Sequence, residues 1–255
     1  MSRVKRRESS TGLYHVFVRG INRENIFEQA REKIYFKRII KKCIDKYDVE
    51  IHAYCIMSNH AHLIIKSAEK EKLSYFMSNV LAKYAEYYNY KHNRNGHVFQ
   101  NRFGSECIES ERYYWNCIKY IHMNPVKAFI VPSALDYKYS SIGEYKNCRG
   151  GILHPNAIHN YKKRFENWEE YLHYHHITNE TIFMGMKEEI NMQHSEQVMK
   201  LLWEMHAQEK IENVIEIFEE PLLREKYIEM IEERLNVSKK ETKRLYAEIK
   251  GKYIK

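Results

Sequence analysis

His60 and His62, separated by Ala61, stand at the entrance to an apolar run, Leu63-Ile64-Ile65. Successive side chains on a strand point to opposite faces, so the two imidazoles share one face while Ala61 and Leu63 take the other. Two imidazoles held this way can chelate one divalent cation. A His-x-His pair on a strand is met more often as an exposed or core-satisfied pair, so the motif needs a second half. About sixty residues later the chain reads Tyr120-Ile121-His122-Met123-Asn124-Pro125. Tyr120 and Asn124, four apart on a helix, project from the same face. Near a two-histidine site, a phenol and a side-chain carbonyl give a nucleophile and a third metal ligand together. Read alone, Tyr120 is better taken as one of 21 tyrosines in a core, and Asn124 as a helix terminator. His122 points away and stays outside the constellation.

The elements that must position these groups are legible from periodicity. Residues 1–12 carry Arg3, Lys5, Arg6 and Arg7 without an apolar pattern and read as a flexible basic tail. Tyr14 to Val18 alternates as a strand that stops at Gly20. Glu28 to Lys46 has the apolar spacing of an amphipathic helix. Ile51 to Met57 and His60 to Lys66 are two strands joined by a tight hairpin at Ser58-Asn59. Leu73 to Tyr90 is a second helix, broken by Asn93-Arg94-Asn95-Gly96. Phe103 to Ile108 is a fourth strand, and Arg112 to Asn124 a third helix that Pro125 should end. Strand-helix-strand taken twice with a central antiparallel pair is the ferredoxin-like βαββαβ plan, an α+β fold, with one helix added behind it. This places a domain, the candidate catalytic one, at 13–146 and a linker at 147–164.

Residues 165–255 then read as an all-α extension, with helices at Phe165 to Tyr174, Ser195 to Phe218 and Leu222 to Leu235. A last helix starts at Ser238, which with Glu241 makes a capping box. Residues 222–250 have the form of a helix-turn-helix, Asn236 taking the left-handed turn, or of a plain helical hairpin. His173, His175 and His176 do not share one helical face and read as surface.

Charge is unevenly divided: residues 1–150 carry a net +11 and the remainder −3, for a total of +8. A basic, tyrosine-rich front half suits a polyanion whose bases stack on rings, or a basic solvated surface with no partner. Five cysteines without a C-x-x-C pair argue against a disulfide framework or structural zinc, and point to a reducing cytoplasm. No run approaches the roughly 18 apolar residues of a membrane span, and the N-terminus lacks the apolar core of a signal peptide.

Met57-x-Asn59-His60-x-His62-Leu63, followed by Tyr120-Ile121-x-x-Asn124-Pro125-Val126-Lys127-Ala128, resembles the REP-associated tyrosine transposases of the HUH single-strand superfamily, with its IS200-like domain. Tyr14-His15-Val16, Arg19-Gly20-x-Asn22-Arg23, Gly96 to Phe103 and Tyr139-Ser140-Ser141 agree, so the resemblance spans about residues 12–146. It implies that His60 and His62 hold Mg²⁺ or Mn²⁺ with Asn124 as third ligand. It implies that Tyr120 attacks a phosphodiester of single-stranded DNA, giving a covalent 5′-phosphotyrosine. The middle residue of the HUH motif is bulky in many relatives and is Ala61 here, on the side away from the metal.

The function implied is metal-dependent cleavage and rejoining of hairpin-bearing repeats, in the manner of an endonuclease acting in DNA transposition and recombination. Partners would be single-stranded or hairpin DNA, the protein working as a monomer or homodimer. Arg19, Arg23, Arg94, Arg102, Lys119 and Lys127 are candidates for phosphates, and Tyr87, Tyr88 and Phe99 for stacking on bases. Two alternatives share the fold: a replication-type HUH nickase, and a catalytically silent hairpin DNA- or RNA-binding protein. The complete set of Tyr120, His60, His62 and Asn124 disfavours silence, and the extended Asn124 to Ala128 match disfavours the nickase.

Overall fold

The computed structural model describes residues 7–148, 151–177, 183, 187–211 and 213–254. It divides into two units, Met1–Phe183 and Met184–Lys255. The first contains β1 (Leu13–Arg19), α1 (Ala30–Tyr47), β2 (Val49–Ile56), β3 (His60–Ser67), α2 (Lys70–Lys91), β4 (Gly104–Cys107) and α3 (Glu111–Lys127). It continues with α4 (Ile142–Asn147), α5 (Pro155–Arg164) and α6 (Trp168–His176). The strands form one antiparallel sheet in the order β2-β3-β1-β4. That is the α+β, ferredoxin-like arrangement read from the sequence.

Strand alternation sorts the two faces. Tyr14, Val16 and Val18 of β1 join Ala61, Leu63 and Ile65 of β3 in a core with Phe36, Ile39 and Ile40 of α1 and Phe76, Met77 and Val80 of α2. The opposite face receives α3: Ala53, Cys55, Met57 and Ile64 pack with Tyr114, Cys117, Ile118 and Ile121. A β-bulge between Ile51 and Ala53 lets His52 face α3 as well, where its Nδ1 lies 2.8 Å from the Tyr114 hydroxyl.

Helix α3 is buried on nearly every side, because α4 to α6 cover its back. His122 is fully buried, with Nε2 2.8 Å from Ser141 Oγ and Nδ1 3.0 Å from His175 Nε2 on α6. Burial pushes both rings below the ordinary histidine range, His175 to about 4. His175 is therefore not a surface residue; it is a polar pin between two helices. The same packing corrects the linker. Residues 147–164 contain α5, whose Ala157 and Tyr161 are buried in the core that includes α3. Pro155 reads as a linker residue in sequence, yet it suits the first turn of a helix, where its missing N–H costs nothing.

Pro125 does not end α3, which runs to Lys127. Proline removes only the bond to Ile121, and the helix closes through Ala128 N–H to the Asn124 carbonyl at 3.0 Å. At the other end, residues 1–6 of the basic tail lie outside the described residues. Ser9 is already tied in: its backbone N–H donates to the Tyr14 hydroxyl at 3.0 Å.

The second unit holds α7 (Lys187–Gln208), α8 (Glu216–Glu219), α9 (Pro221–Leu235) and α10 (Lys239–Tyr253). The helix expected over 195–218 is two helices, separated where Lys210 takes a left-handed φ of 52°. Val198, Leu202 and Met205 of α7 close a core with Tyr227 and Ile231 of α9 and Leu245 and Ile249 of α10.

Candidate active site

On the α3 face of the sheet, β3 presents His60 and His62, and β1 presents His15 and Phe17. Phe17 is paired directly with His62, and Arg19 with His60. The His60 and His62 rings are 5.2 Å apart, and the Tyr120 ring lies 5.5 Å from His62 and 5.8 Å from His15. The structure thus brings Tyr120, His60 and His62 together. Asn124 follows one turn after Tyr120 and is buried; its Nδ2 makes no hydrogen bond among the described residues.

The position of His60 is set by the hairpin tip. Met57 N–H donates to the His60 carbonyl, and both turn carbonyls are gripped from outside. Asn59 accepts from Gly20 N–H and Ser58 from Phe27 N–H, each at 2.8 Å. Gly20 can approach because it has no side chain: a Cβ there would lie 2.3 Å from the Glu24 carbonyl oxygen.

Hydrogen bonds select the ring nitrogens. His60 Nδ1 is 2.5 Å from Asn59 Oδ1, an acceptor, so Nδ1 carries the proton and the lone pair sits on Nε2. His62 Nδ1 is 3.0 Å from His15 Nε2. Glu106 Oε2 lies 3.9 Å from His15 Nδ1 and favours a proton there, which leaves His15 Nε2 as acceptor for His62 Nδ1–H. In both β3 histidines the lone pair is then on Nε2. An engaged Nδ1–H behind a ligating Nε2 is the usual arrangement of a metal-binding histidine.

His15 and Glu106 did not enter the sequence reading as site residues. A histidine inside the alternating strand Tyr14 to Val18, on a central strand, was the available signal. Phe183 had none: its ring is fully buried and stacks on Tyr120 at 5.0 Å and 20°. Tyr120 itself is 1% exposed.

The proposed DNA contacts divide. Arg23 and Arg102 are exposed, and Arg19 and Lys127 half-buried. Arg19 and Arg23 flank Gly20 beside the segment 98–100, which pairs with it through Ile21 N–H to the Val98 carbonyl and Gln100 N–H to the Arg19 carbonyl. Arg94 is bound to Glu24 and lies over the Tyr88 ring. Tyr87 stacks on Tyr35 with centroids 3.8 Å apart, and Phe99 packs against Phe27 and Tyr84. Two residues are not placed to meet DNA. Tyr88 is buried against Tyr84 and His92. Lys119 is buried, donates to the Ile177 carbonyl at 2.9 Å and lies over the Tyr174 ring. Burial brings its pKa down to about 8.

Residues 8–124 match the family model described as transposase IS200 like. This stretch is similar to the IS200-like transposase domains. It contains the whole sheet and every residue of the constellation from His15 to Asn124. A REP-associated tyrosine transposase by assignment, from Haemophilus influenzae (strain Rd), is 28% identical over 159 residues, 55% of this chain and 85% of that protein. A solved REP-associated tyrosine transposase bound to a REP hairpin is 23% identical, over 61% of this chain and 89% of that one, with a TM-score of 0.49. No helix among the described residues is long and apolar enough to cross a membrane.

The donors on this face of the sheet decide how it suits a metal ion. Among the described residues, no group of three or more His, Cys, Asp and Glu side chains is gathered so as to hold a metal. An ion would rest on two imidazoles and an amide, with further oxygens from outside. The Asn124 amide fits this role: it is buried, Nδ2 makes no hydrogen bond among the described residues, and rotation about Cβ–Cγ exchanges Nδ2 with Oδ1. Such a neutral, oxygen-poor set fits Mn²⁺ or Mg²⁺ weakly until phosphate oxygens join.

Proposed function

We propose that the domain cleaves and rejoins single-stranded DNA bearing hairpin repeats, with Tyr120 as nucleophile and His60, His62 and Asn124 as ligands for Mn²⁺ or Mg²⁺. The observation that carries this reading is the meeting of the Tyr120 ring with His62, whose ring neighbours His60, the Nδ1 atoms of both histidines being engaged. The family of residues 8–124 supports it, as does the REP hairpin on which a similar protein was solved.

When bound, the metal would draw charge from the scissile phosphate. Tyr120 Oη forms a bond to phosphorus as the bond to the 3′ oxygen breaks; the phenol gives up its proton, and the leaving 3′ oxygen takes one up. The product is a 5′-phosphotyrosine and a free 3′-hydroxyl. One phosphodiester replaces another of similar energy, so the reverse attack rejoins the strand without ATP. Asn59 and His15 hold the two imidazoles in the ligating tautomer. Packing of α3 between the sheet and α6 fixes the phenol against His62.

Incubation with Mn²⁺ and a 5′-flanked hairpin oligonucleotide, followed by a denaturing gel, tests the reading. A protein–DNA adduct lost in Tyr120→Phe and in His62→Ala is expected. Hairpin binding that needs no metal, with neither adduct nor cleavage, would sink it and leave the silent binding protein.

A further inference from the structure

The unit Met184–Lys255 lies beyond the stretch that the family model matches. Its last two helices are joined by only three residues. Helix α9 ends at Leu235, Asn236 takes a left-handed conformation at φ 49° and ψ 47°, and Ser238 caps α10 by accepting from Glu241 N–H. A single left-handed residue turns the chain sharply without a long loop. Leu235 and Val237 on either side of it pack onto the core.

Burial sorts the faces of α10. Thr242, Leu245 and Ile249 are fully buried. Lys239, Lys240, Lys243, Arg244 and Ala247 face solvent. Arg244 is committed to its own helix, bonding Glu241 and Glu248. Lys239, Lys240 and Lys243 make no ion pair among the described residues. Cations in the first turn of a helix oppose its dipole, so Lys239 and Lys240 do nothing for α10 itself, and Lys243 makes no ion pair within the described residues. An external polyanion would account for them. By contrast α9 carries Glu225, Glu229, Glu232 and Glu233 against three cations, which makes α10 the helix to face a polyanion.

We propose that α9, the Asn236 turn and α10 form a helix-turn-helix that binds duplex DNA, with the N-terminal half of α10 in the major groove. An α-helix about 10–12 Å across fits a groove about 12 Å wide. Lys239, Lys240 and Lys243 then meet phosphates and base edges, as recognition helices do with their first turns. This gives the chain a second DNA-binding element whose substrate is a duplex, independent of the chemistry at Tyr120.

The test uses the full-length protein. Its affinity for a 30-base-pair duplex of random sequence is measured by fluorescence anisotropy across a salt series, beside a selection from a randomised duplex library. The variant is Lys239→Glu/Lys240→Glu/Lys243→Glu, with the exposed pair Lys162→Glu/Lys163→Glu as charge control and His60→Ala as active-site control. The triple variant should lose at least tenfold in affinity, and its slope of log K against log salt should fall by about 2 to 3. The selection should return a motif with wild type and His60→Ala but not with the triple variant. Its melting temperature should hold, because glutamates suit a helix N-terminus. Unchanged duplex binding by the triple variant overturns the proposal. So does a wild type that enriches no motif and binds heparin as tightly as duplex, which would make α10 merely a basic surface.

Discussion

His15 Nε2 lies 3.0 Å from His62 Nδ1, across the pair formed by β1 and β3. With Glu106 behind it, this contact makes a line of three side chains from β4 through β1 to β3, across the centre of the sheet. The orientation of a proposed ligand is thereby built into strand register and does not depend on a loop.

Replacing His15 by alanine leaves the His62 Nδ1–H without its acceptor and the imidazole free to rotate. Mn²⁺ affinity should fall about 10- to 100-fold, read by electron paramagnetic resonance of free Mn²⁺ in the presence of hairpin DNA. His15→Gln, whose amide oxygen can accept the same proton, should recover part of it. Equal affinity in wild type and His15→Ala would show that the contact orients nothing.

Asn124 sets function against stability. Its buried Nδ2 makes no hydrogen bond among the described residues, so Asn124→Leu, similar in branching, should raise stability by about 1 kcal/mol in urea unfolding. The same variant should form no covalent adduct. A destabilised Asn124→Leu would mean that the amide is satisfied in the folded protein.

The buried pair His122 and His175 gives the first unit an acid limit. Burial depresses the folded-state pKa of His175 from 6.5 to about 4, so in this range the unfolded chain binds more protons and stability rises with pH. The stabilisation is whole above about pH 6.5 and is lost as pH falls towards 4. Between pH 7 and 5 the loss from this residue should be about 2 kcal/mol. Urea titrations at both values check it, and His175→Gln should flatten the difference.

Gly104 tests the packing under the site. A Cβ at this position would stand 2.2 Å from the Phe17 ring, which pairs across the sheet with His62. Gly104→Ala must displace that ring, at a cost of about 1–3 kcal/mol in thermal or urea unfolding. A wild-type melting temperature would show that Phe17 has room to move.

Periodicity made the βαββαβ order legible, and alternation put His60 and His62 on one face before any coordinates. What the sequence did not show depends on packing between distant segments. Pro125 reads as a stop, yet one missing hydrogen bond does not outweigh a helix buried on nearly every side. Tyr88 and Lys119 belong to types that contact DNA, and only their neighbours Tyr84 and Tyr174 show that they face inward. His15 is one of 14 histidines until β1 is paired with β3. Phe183 reaches Tyr120 from sixty-three positions later, a distance over which spacing carries no information.

Pro125 also has a mechanical consequence. The hydrogen bond it omits is the rung to Ile121, one step beyond the rung that joins Asn124 to Tyr120. Within the interior of α3 this missing rung makes a compliant joint. Tyr120 and Asn124 stand on the same side of the joint, one turn apart. Motion of the last residues of α3 therefore need not disturb the spacing between the phenol and the amide.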